Sequence, residues 1–458
     1  MFLIIWITPC YLFSQNPNNI QEPHVLPPTP DAAALGKYGN YPVGLNTGIP
    51  DISVPIYTIK TKKLELPISV SYHASGIRVN EFASWVGLGW ALNAGGAVIR
   101  SAIGEPDDLS GLLNRYDVKD SLDLSSGNYW DYMRSVADNS YDTESDYYFY
   151  NFPGHSGKFV YPQNSSNAFL IPQSPISVQL KNDRYIIKDE SGVTYKFLCP
   201  ETSYTIPNGP EQSAEIYISS YYLSEIESAD GYDHIYFTYD TDNSYAENNM
   251  EFTQAIGKQC DEVAQLQTLN ESGSMNICRT ITPVRLREIH FSTGKVVFTK
   301  DTIRSDAPKT RLEEIKIYSK NSDGTFSLLK SFSFGEDYFD SGTGVSTERY
   351  RLMLTDIVEK DTNGQDVKKY SFSYNYDANN KLPARNSYAQ DWWGYYNGQD
   401  GNSNLIAQDT ITYYGVFFNF GGANRQPDSV KMQACVLEKI IYPTGGYKIG
   451  RASCRERV

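Results

Sequence analysis

The residues with the clearest potential for chemistry are aromatic, and they form one dense group of two tryptophans and two tyrosines: Trp392, Trp393, Tyr395 and Tyr396. Rings grouped in this way can stack on a sugar or line a binding surface, and they can equally fill a hydrophobic core. A second pair, Trp85 and Trp90, flanks two glycines in a segment typical of a tight corner. We expect both tryptophan pairs to pack as structural aromatic clusters.

Cysteine chemistry is a second possibility, because four of the six cysteines lie in the body of the sequence: Cys199, Cys260, Cys278 and Cys435. Cys260 and Cys278 bracket a polar segment between two strand-like regions, and a disulfide between them would hold the two ends of that segment together. The alternative is a pair of unpaired, buried thiols. A zinc site is disfavoured, since no Cys-x-x-Cys pair is present and the five histidines are scattered.

Catalytic and metal-binding patterns are weak elsewhere in the sequence. A nucleophilic triad needs a serine or cysteine beside a histidine and an acid, and no nucleophile elbow accompanies any of the five histidines: His24, His73, His155, His234 and His290. Residues 240–243 (Asp-Thr-Asp-Asn) offer oxygen ligands for calcium but lack the glycine and distal glutamate of a full loop, so a solvated turn is expected. We predict no enzyme activity and no cofactor.

Composition favours strands over helices. The sequence has 36 tyrosines and 20 phenylalanines, which suit half-buried sheet surfaces, and its 34 glycines and 23 prolines interrupt helical periodicity. The expected fold class is therefore all-β, as an extended series of antiparallel β-hairpins. A net charge of −14, spread along the chain, argues against nucleic-acid partners and polybasic membrane anchoring.

The first half of the sequence divides into segments of different composition. Residues 1–15 contain an apolar run too short to span a bilayer and are expected to be a signal peptide, which implies a secreted or cell-surface protein. Residues 16–45 form a Pro-rich linker, residues 46–104 a β-rich opening segment, residues 105–146 a polar surface insertion, and residues 147–220 a region of β-hairpins. No second apolar run is long enough for a transmembrane helix.

A recurring unit dominates the second half, within residues 221–450. Leu-x-x-Ile occurs five times before a glycine-containing turn, beginning at Leu223, Leu286, Leu312, Leu354 and Leu437. In four units an alternating aromatic or aliphatic strand follows the turn. Each unit therefore predicts one hairpin. Because a single hairpin cannot bury its own face, the hairpins are expected to stack side by side into a continuous sheet.

These motifs resemble a known family. Strands ending in Phe-Thr-Tyr-Asp (residues 237–240) or Tyr-Asn-Tyr-Asp (residues 374–377) resemble the YD repeats of Rhs proteins, and Gly87-Leu88-Gly89-Trp90 looks like the opening segment of Rhs-like shell proteins, as in secreted Bacteroidota proteins. The resemblance implies a hollow β-shell that encloses a C-terminal toxin or effector region. Residues 451–458 are basic, lack aromatics and depart from the family pattern, so this tail is doubtful and the sequence is expected to be a fragment.

Two functional hypotheses follow. The leading one is a non-catalytic structural shell or scaffold portion of an exported Rhs/YD-repeat protein, whose partner is its own C-terminal cargo region. The alternative is an extracellular or cell-surface adhesion and interaction module that displays loops such as residues 105–146 and 245–277. A secreted carbohydrate-active enzyme ranks last, because chance pairs of carboxylates are unavoidable among 54 acidic residues. An incomplete shell would leave a strand edge unpaired and promote association of chains.

Overall fold

The computed structural model describes the following residues: 25–26, 52–103, 106–107, 127–137, 145–162, 167–182, 184–207, 215–260, 266–413 and 416–449. The expected signal peptide, most of the expected linker, His24 and the tail at 451–458 lie outside these ranges. Strands predominate, and they pair antiparallel in long sheets, which confirms the all-β prediction.

The N-terminal strands form a small sheet of their own. β2 (Ile52–Lys60) pairs with β3 (Glu65–Tyr72), and β3 pairs with β4 (Trp90–Asn93). Buried and exposed positions alternate along the first part of β2 and of β3, as expected for strands with one face on a core. One side of this small sheet is therefore apolar and needs a partner.

Most other strands form one antiparallel arrangement, which we call the strand series. In spatial order it contains β9 (Ser177–Leu180), β10 (Tyr185–Lys188), β11 (Thr194–Pro207), β12 (Glu215–Glu227), β13 (His234–Thr241), β16 (Val284–Phe291), β17 (Gly294–Asp301), β18 (Arg311–Lys320), β19 (Phe326–Asp340), β20 (Tyr350–Lys360), β21 (Asp366–Tyr374), β24 (Leu437–Ile441) and β25 (Tyr447–Ile449). Successive repeat hairpins thus lie side by side. Within the described residues no strand pairing closes the series into a barrel.

Two branches leave the strand series. The C-terminal half of β11 pairs with β15 (Leu266–Thr282), which pairs along its length with β14 (Tyr245–Cys260). The second branch contains β1 (Val25–Leu26), β5 (Ala97–Ile103), β6 (Tyr147–Phe152), β7 (His155–Val160) and β8 (Phe169–Ile171). It joins the series where β5 pairs with the middle of β12. β22 (Asp409–Tyr413) and β23 (Val416–Phe420) form a separate hairpin.

Each Leu-x-x-Ile unit carries a β-bulge at the same place. On a regular strand side chains alternate between faces, so residues three apart would point to opposite faces. In all five units the register skips the residue after the leucine: Ser224, Arg287, Glu313, Thr355 and Glu438. The extra residue returns the leucine and isoleucine to one face. In the third unit, Leu312 and Ile315 are accordingly both fully buried.

The strand after each turn carries a buried phenylalanine opposite the isoleucine of the next unit: Phe237–Ile289, Phe298–Ile315, Phe334–Ile357 and Phe372–Ile440. Two residues later, the position opposite the next leucine holds Tyr239, Lys300, Glu336 or Tyr374. The register therefore aligns Tyr374-Asn375 with Tyr239-Asp240. The strand expected to end in Tyr-Asn-Tyr-Asp (residues 374–377) ends at Tyr374, so its first Tyr-Asn pair occupies the position of Tyr239-Asp240.

The small sheet covers the apolar face of the strand series. Buried residues of β2 and β3, among them Val54, Leu66 and Val70, belong to the same hydrophobic core as the leucines, isoleucines and phenylalanines of the repeats. The face that the repeats present inward is thus packed against N-terminal strands of the same chain.

Helices are short within the described residues: α1 (Gly127–Ala137), α2 (Ser346–Arg349) and a 3-10 turn at Lys431–Gln433. None of them has the length and apolar character that crossing a membrane by a helix requires. α1 lies inside the segment 105–146 that was expected to be a polar surface insertion. That expectation is wrong at its ends, where Asp107 and Asp146 are fully buried and Asp146 accepts a hydrogen bond of 2.6 Å from Arg100 Nε, because a buried guanidinium needs a counter-charge.

The segment 245–277, expected to be a variable loop, is a long hairpin of β14 and β15. Its register pairs Cys260 with Leu266 and Cys278 with Asn248, so Cys278 lies twelve positions along β15 from the residue opposite Cys260. At roughly 3.3 Å per residue this separates the two cysteine backbones by about 40 Å, whereas a disulfide needs Cα atoms within about 7 Å. The expected Cys260–Cys278 disulfide is incompatible with this register.

Candidate functional site

Glu225, Glu227 and His234 are a candidate metal cluster, since their ligand atoms lie within 4.8 Å of one another. Lys196 Nζ lies 3.0 Å from Glu225 Oε2 and 2.6 Å from Glu227 Oε2, so an ammonium group of the chain already bridges the two carboxylates and offsets part of their charge. His234 Nδ1 faces Glu225 and Nε2 faces Gly231 O, at 3.0 and 3.1 Å. We interpret the cluster as a salt-bridge network that fastens β12 to β11 and β13.

Two further histidines lie beside glutamates. His155 Nε2 is 3.0 Å from Glu190 Oε2, and His290 Nε2 is 3.0 Å from Glu288 Oε1. In each pair one side chain is about half exposed and the other is mostly buried, and ion pairs that solvent reaches contribute little to stability.

Asp242, expected in a solvated turn, is a buried carboxylate with 4% of its side chain exposed. It accepts hydrogen bonds from Arg285 Nε at 3.0 Å, from Lys300 Nζ and from Thr310 Oγ1. The guanidinium of Arg285 lies 5.7 Å from the centroid of Trp85. The solvated turn was a wrong expectation, because these donors lie 43 to 68 residues away in sequence.

A small cavity of about 60 Å³ lies beside this charged group. Its walls include Trp85, Tyr222, Tyr239 and Arg285. A space of this size suits a few bound water molecules.

The residues 83–96 cross the strand series and bind it through the backbone; we call this segment the strap. Leu223 N donates to Gly96 O at 2.9 Å, Leu312 N donates to Trp85 O at 2.8 Å, and Leu88 N donates to Leu352 O at 2.8 Å. Two of these donors are the leucines that begin Leu-x-x-Ile units. Because a bulge interrupts the ladder at each leucine, we infer that the strap satisfies backbone groups that neighbouring strands leave free.

Two glycines of the strap are required by close packing. A Cβ on Gly87, whose φ is +146°, would lie 3.0 Å from Leu354 N. A Cβ on Gly89, whose φ is +75°, would lie 2.7 Å from the Tyr72 ring. The Gly-Leu-Gly-Trp sequence is therefore explained by contact with β20 and β3.

The strap is also held by a buried arginine. Arg304 Nη2 donates to Ala83 O and to Asp306 Oδ2, both at 2.9 Å, and its Nη1 donates to Ser84 O at 2.9 Å. Asp306 in turn accepts a hydrogen bond of 2.8 Å from Leu352 N. One ion pair thus joins the strap, the loop before β18 and the start of β20.

The tyrosine of the repeat donates a hydrogen bond to a backbone carbonyl at the bulge. Tyr239 Oη donates to Leu223 O and Tyr374 Oη donates to Leu354 O, both at 2.6 Å. Burial raises the pKa of both phenols well above 10, which keeps them neutral donors. In the first and fourth units, the tyrosine therefore bonds the carbonyl of its own unit's leucine, at the bulge.

Removing one such hydroxyl is expected to cost about 1–3 kcal/mol. The hydroxyl of Tyr374 donates to Leu354 O and accepts a hydrogen bond of 2.8 Å from the indole N–H of Trp90. Tyr374→Phe removes the hydroxyl and leaves both groups without this partner. The measurement is the urea midpoint of unfolding. Tyr232→Phe is the matched control because Tyr232 is 88% exposed, and equal midpoints for the two variants would contradict the assignment.

At the equivalent position of the third unit, Glu336 replaces tyrosine and is a buried carboxyl with 2% of its side chain exposed. Desolvation raises its pKa from a usual value near 4.5 to about 7, against the opposing effect of Arg311, whose Nη1 lies 2.7 Å from Glu336 Oε2. Arg304 also lowers this pKa and Asp301 raises it. Glu336 therefore binds a proton in the folded chain at a pH where the unfolded chain has released it.

Stability is accordingly expected to fall as the pH rises from about 5 to about 8. The unfolded carboxyl ionises near pH 4.5 and the folded one near 7, so the cost of ionising the buried group grows over this range to at most about 3 kcal/mol. Urea unfolding of the wild type and of Glu336→Gln, each at several pH values, measures the difference. Glu65→Gln, at an exposed glutamate, is the control. A difference between wild type and Glu336→Gln that stays constant with pH would refute the prediction.

Comparison with known proteins gives no sequence match and distant structural similarity to solved chains. No protein-family model and no curated protein sequence matches the chain. The chain is similar to the crystal structure of TcdB2-TccC3, with a TM-score of 0.34 and 10% sequence identity, over 77% of this chain and 17% of that one. The match covers a small part of the other chain, and at this level it carries no argument about function. Membership of the Rhs/YD-repeat family stays a prediction.

The two tryptophan pairs differ in burial. Trp85 and Trp90 are 5% and 1% exposed, whereas Trp392 and Trp393 are 58% and 57% exposed. The expectation that Trp392 and Trp393 pack in the core is wrong, because they occupy the two central positions of a tight turn. Tyr396, from the same cluster, is 9% exposed. Sequence alone could not separate these roles, since they depend on turn position.

Proposed function

We propose that this chain is a non-catalytic structural scaffold, the shell portion of an exported Rhs/YD-repeat protein. The observation that carries the proposal is the β-bulge found at the same residue of five successive hairpins. A bulge bends its strand and increases the local twist, so a bulge repeated in register gives each hairpin the same curvature. Hairpins of equal curvature, placed side by side, suit the curved wall of a shell.

The strap supports the same proposal. It bonds the first and third units at Leu223 and Leu312, and it bonds β20 at Leu352, two residues before the fourth unit begins. It therefore connects hairpins that are distant in sequence. Repeat proteins whose units contact only their neighbours are stabilised pair by pair. A segment that crosses several units adds long-range coupling between them.

Enclosure of a C-terminal cargo region is part of this proposal. The apolar face of the strand series is already packed against β2 and β3, so a cargo would contact polar surfaces or further hairpins beyond β25. An extracellular interaction module is the second candidate, and the exposed Trp392 and Trp393 favour it. Both candidates require export, which the apolar residues 1–15 are expected to direct.

Hydrogen–deuterium exchange of the whole chain tests the scaffold proposal. We expect the amides of Leu223, Leu312 and Leu88 to exchange as slowly as those of the repeat isoleucines, because all belong to one cooperative unit. The hairpin turns serve as the internal control for fast exchange. Repeats that exchange independently of one another and of the strap would contradict the scaffold.

A further inference from the structure

The turn at Trp392 and Trp393 is a rigid platform. Asp391, 1% exposed, accepts hydrogen bonds at its Oδ1 from Trp393 N at 2.8 Å and Tyr395 N at 2.9 Å. Gly394 N donates to Asp391 O at 3.2 Å with Gly394 at φ +89°, which closes the turn. The buried carboxylate thus fixes the backbone from which the two indoles project.

Contacts with distant segments brace the same turn. Arg425 Nε donates to Asp391 O at 3.1 Å and Nη1 donates to Leu405 O at 2.6 Å, while its guanidinium lies 5.4 Å from the Trp392 ring centroid. On the other side, Val79 N donates to Gly394 O at 2.9 Å. A platform held in this way loses little conformational entropy when a ligand binds.

Hydrogen-bonding groups border the indoles. A Cβ on Gly394 would lie 3.7 Å from Arg78 Cδ and 3.7 Å from Gln390 Oε1, which places both side chains beside the turn. Arg78 is exposed, and among the described residues no ion-pair partner of its guanidinium is found. Apolar ring faces next to a guanidinium with available donors match a pyranose, which has an apolar C–H face and a hydroxyl rim.

We propose that Trp392 and Trp393 are a binding site for a neutral polysaccharide, with the indoles stacking on sugar rings and Arg78 donating to hydroxyl groups. The net charge of −14 repels polyanions such as nucleic acids and anionic lipid surfaces, and it does not penalise an uncharged glycan. Insertion of the turn into a zwitterionic membrane would carry the Arg78 guanidinium toward an apolar layer, which is costly. The site is independent of the scaffold role.

Native affinity electrophoresis of the full chain tests this site, in gels that contain laminarin, dextran, yeast mannan or arabinoxylan. We expect at least one polysaccharide to retard the chain. Trp392→Ala and Trp393→Ala should each weaken that retention at least tenfold, and Arg78→Met a few-fold. The matched control is Trp130→Ala, because Trp130 is 62% exposed on α1 and should leave retention unchanged.

Several outcomes would overturn the proposal. They are the absence of retardation in all four gels, full retention by the Trp392→Ala/Trp393→Ala double variant, and equal losses in Trp130→Ala. Co-sedimentation with phosphatidylcholine vesicles that depends on the two tryptophans, without glycan retention, would replace it with a membrane site. Urea midpoints of all variants exclude unfolding as the cause, and Trp392→Tyr, which keeps an aromatic face, should retain part of the binding.

Discussion

Trp90→Ala is expected to lower the free energy of unfolding by about 3–5 kcal/mol, the cost typical of truncating a fully buried tryptophan. Trp90 is 1% exposed, and its ring centroid lies 5.2 Å from that of Tyr72 and 4.6 Å from that of Phe372. Its Nε1 donates to Tyr374 Oη, which in turn donates to Leu354 O. The substitution therefore removes packing and one link of a hydrogen-bond chain between the small sheet and the strand series.

Chemical denaturation with tryptophan-independent detection, such as far-ultraviolet circular dichroism, measures this loss. Trp130→Ala is the matched control, since Trp130 is 62% exposed and its truncation should change stability by less than about 0.5 kcal/mol. We also expect Trp90→Ala to increase hydrogen exchange in the fourth repeat unit around Leu354. A midpoint for Trp90→Ala within error of that for Trp130→Ala would show that the small sheet does not stabilise the repeats.

The repeat hairpins were predictable, and their bulges were not. Leu-x-x-Ile before a glycine turn indicates a hairpin through turn chemistry and strand composition. Its spacing of three conflicts with strand alternation, as at Leu312 and Ile315, and that conflict was the available signal of a bulge. Which residue is skipped depends on the partner strand, so the register of Tyr374 could not be obtained from local sequence.

The strap could not be predicted because its contacts are long-range. Ala83 O and Arg304 Nη2 are 221 residues apart in sequence, and Ser84 O and Arg304 Nη1 are 220 apart. The Gly-Leu-Gly-Trp motif indicated a tight corner, and the strands that it meets became evident only in three dimensions. Exposure of Trp392 likewise follows from the carboxylate of Asp391, whose burial no local pattern indicated.

Arg304→Met is expected to destabilise the chain by about 3–5 kcal/mol, because breaking a buried ion pair leaves the remaining charge uncompensated. The Arg304 side chain is fully buried, and the Asp306 side chain is 3% exposed. The substitution also removes donors to Ala83 O, Ser84 O and Thr310 O. Methionine preserves much of the side-chain length, so the loss reports on charge and hydrogen bonding more than on volume.

A second substitution separates the ion pair from the strap contacts. Arg304→Met/Asp306→Asn removes the orphaned carboxylate, so it should be less destabilised than the sum of its two single variants. Arg304→Lys keeps the charge but lacks the planar fork that reaches several acceptors, so it should recover only part of the stability. Arg287→Met, at an arginine with 53% of its side chain exposed, is the control and should be nearly neutral. If Arg304→Met matched that control, the strap would be held by its backbone contacts alone, and its attachment to the third and fourth repeat units would not depend on this ion pair.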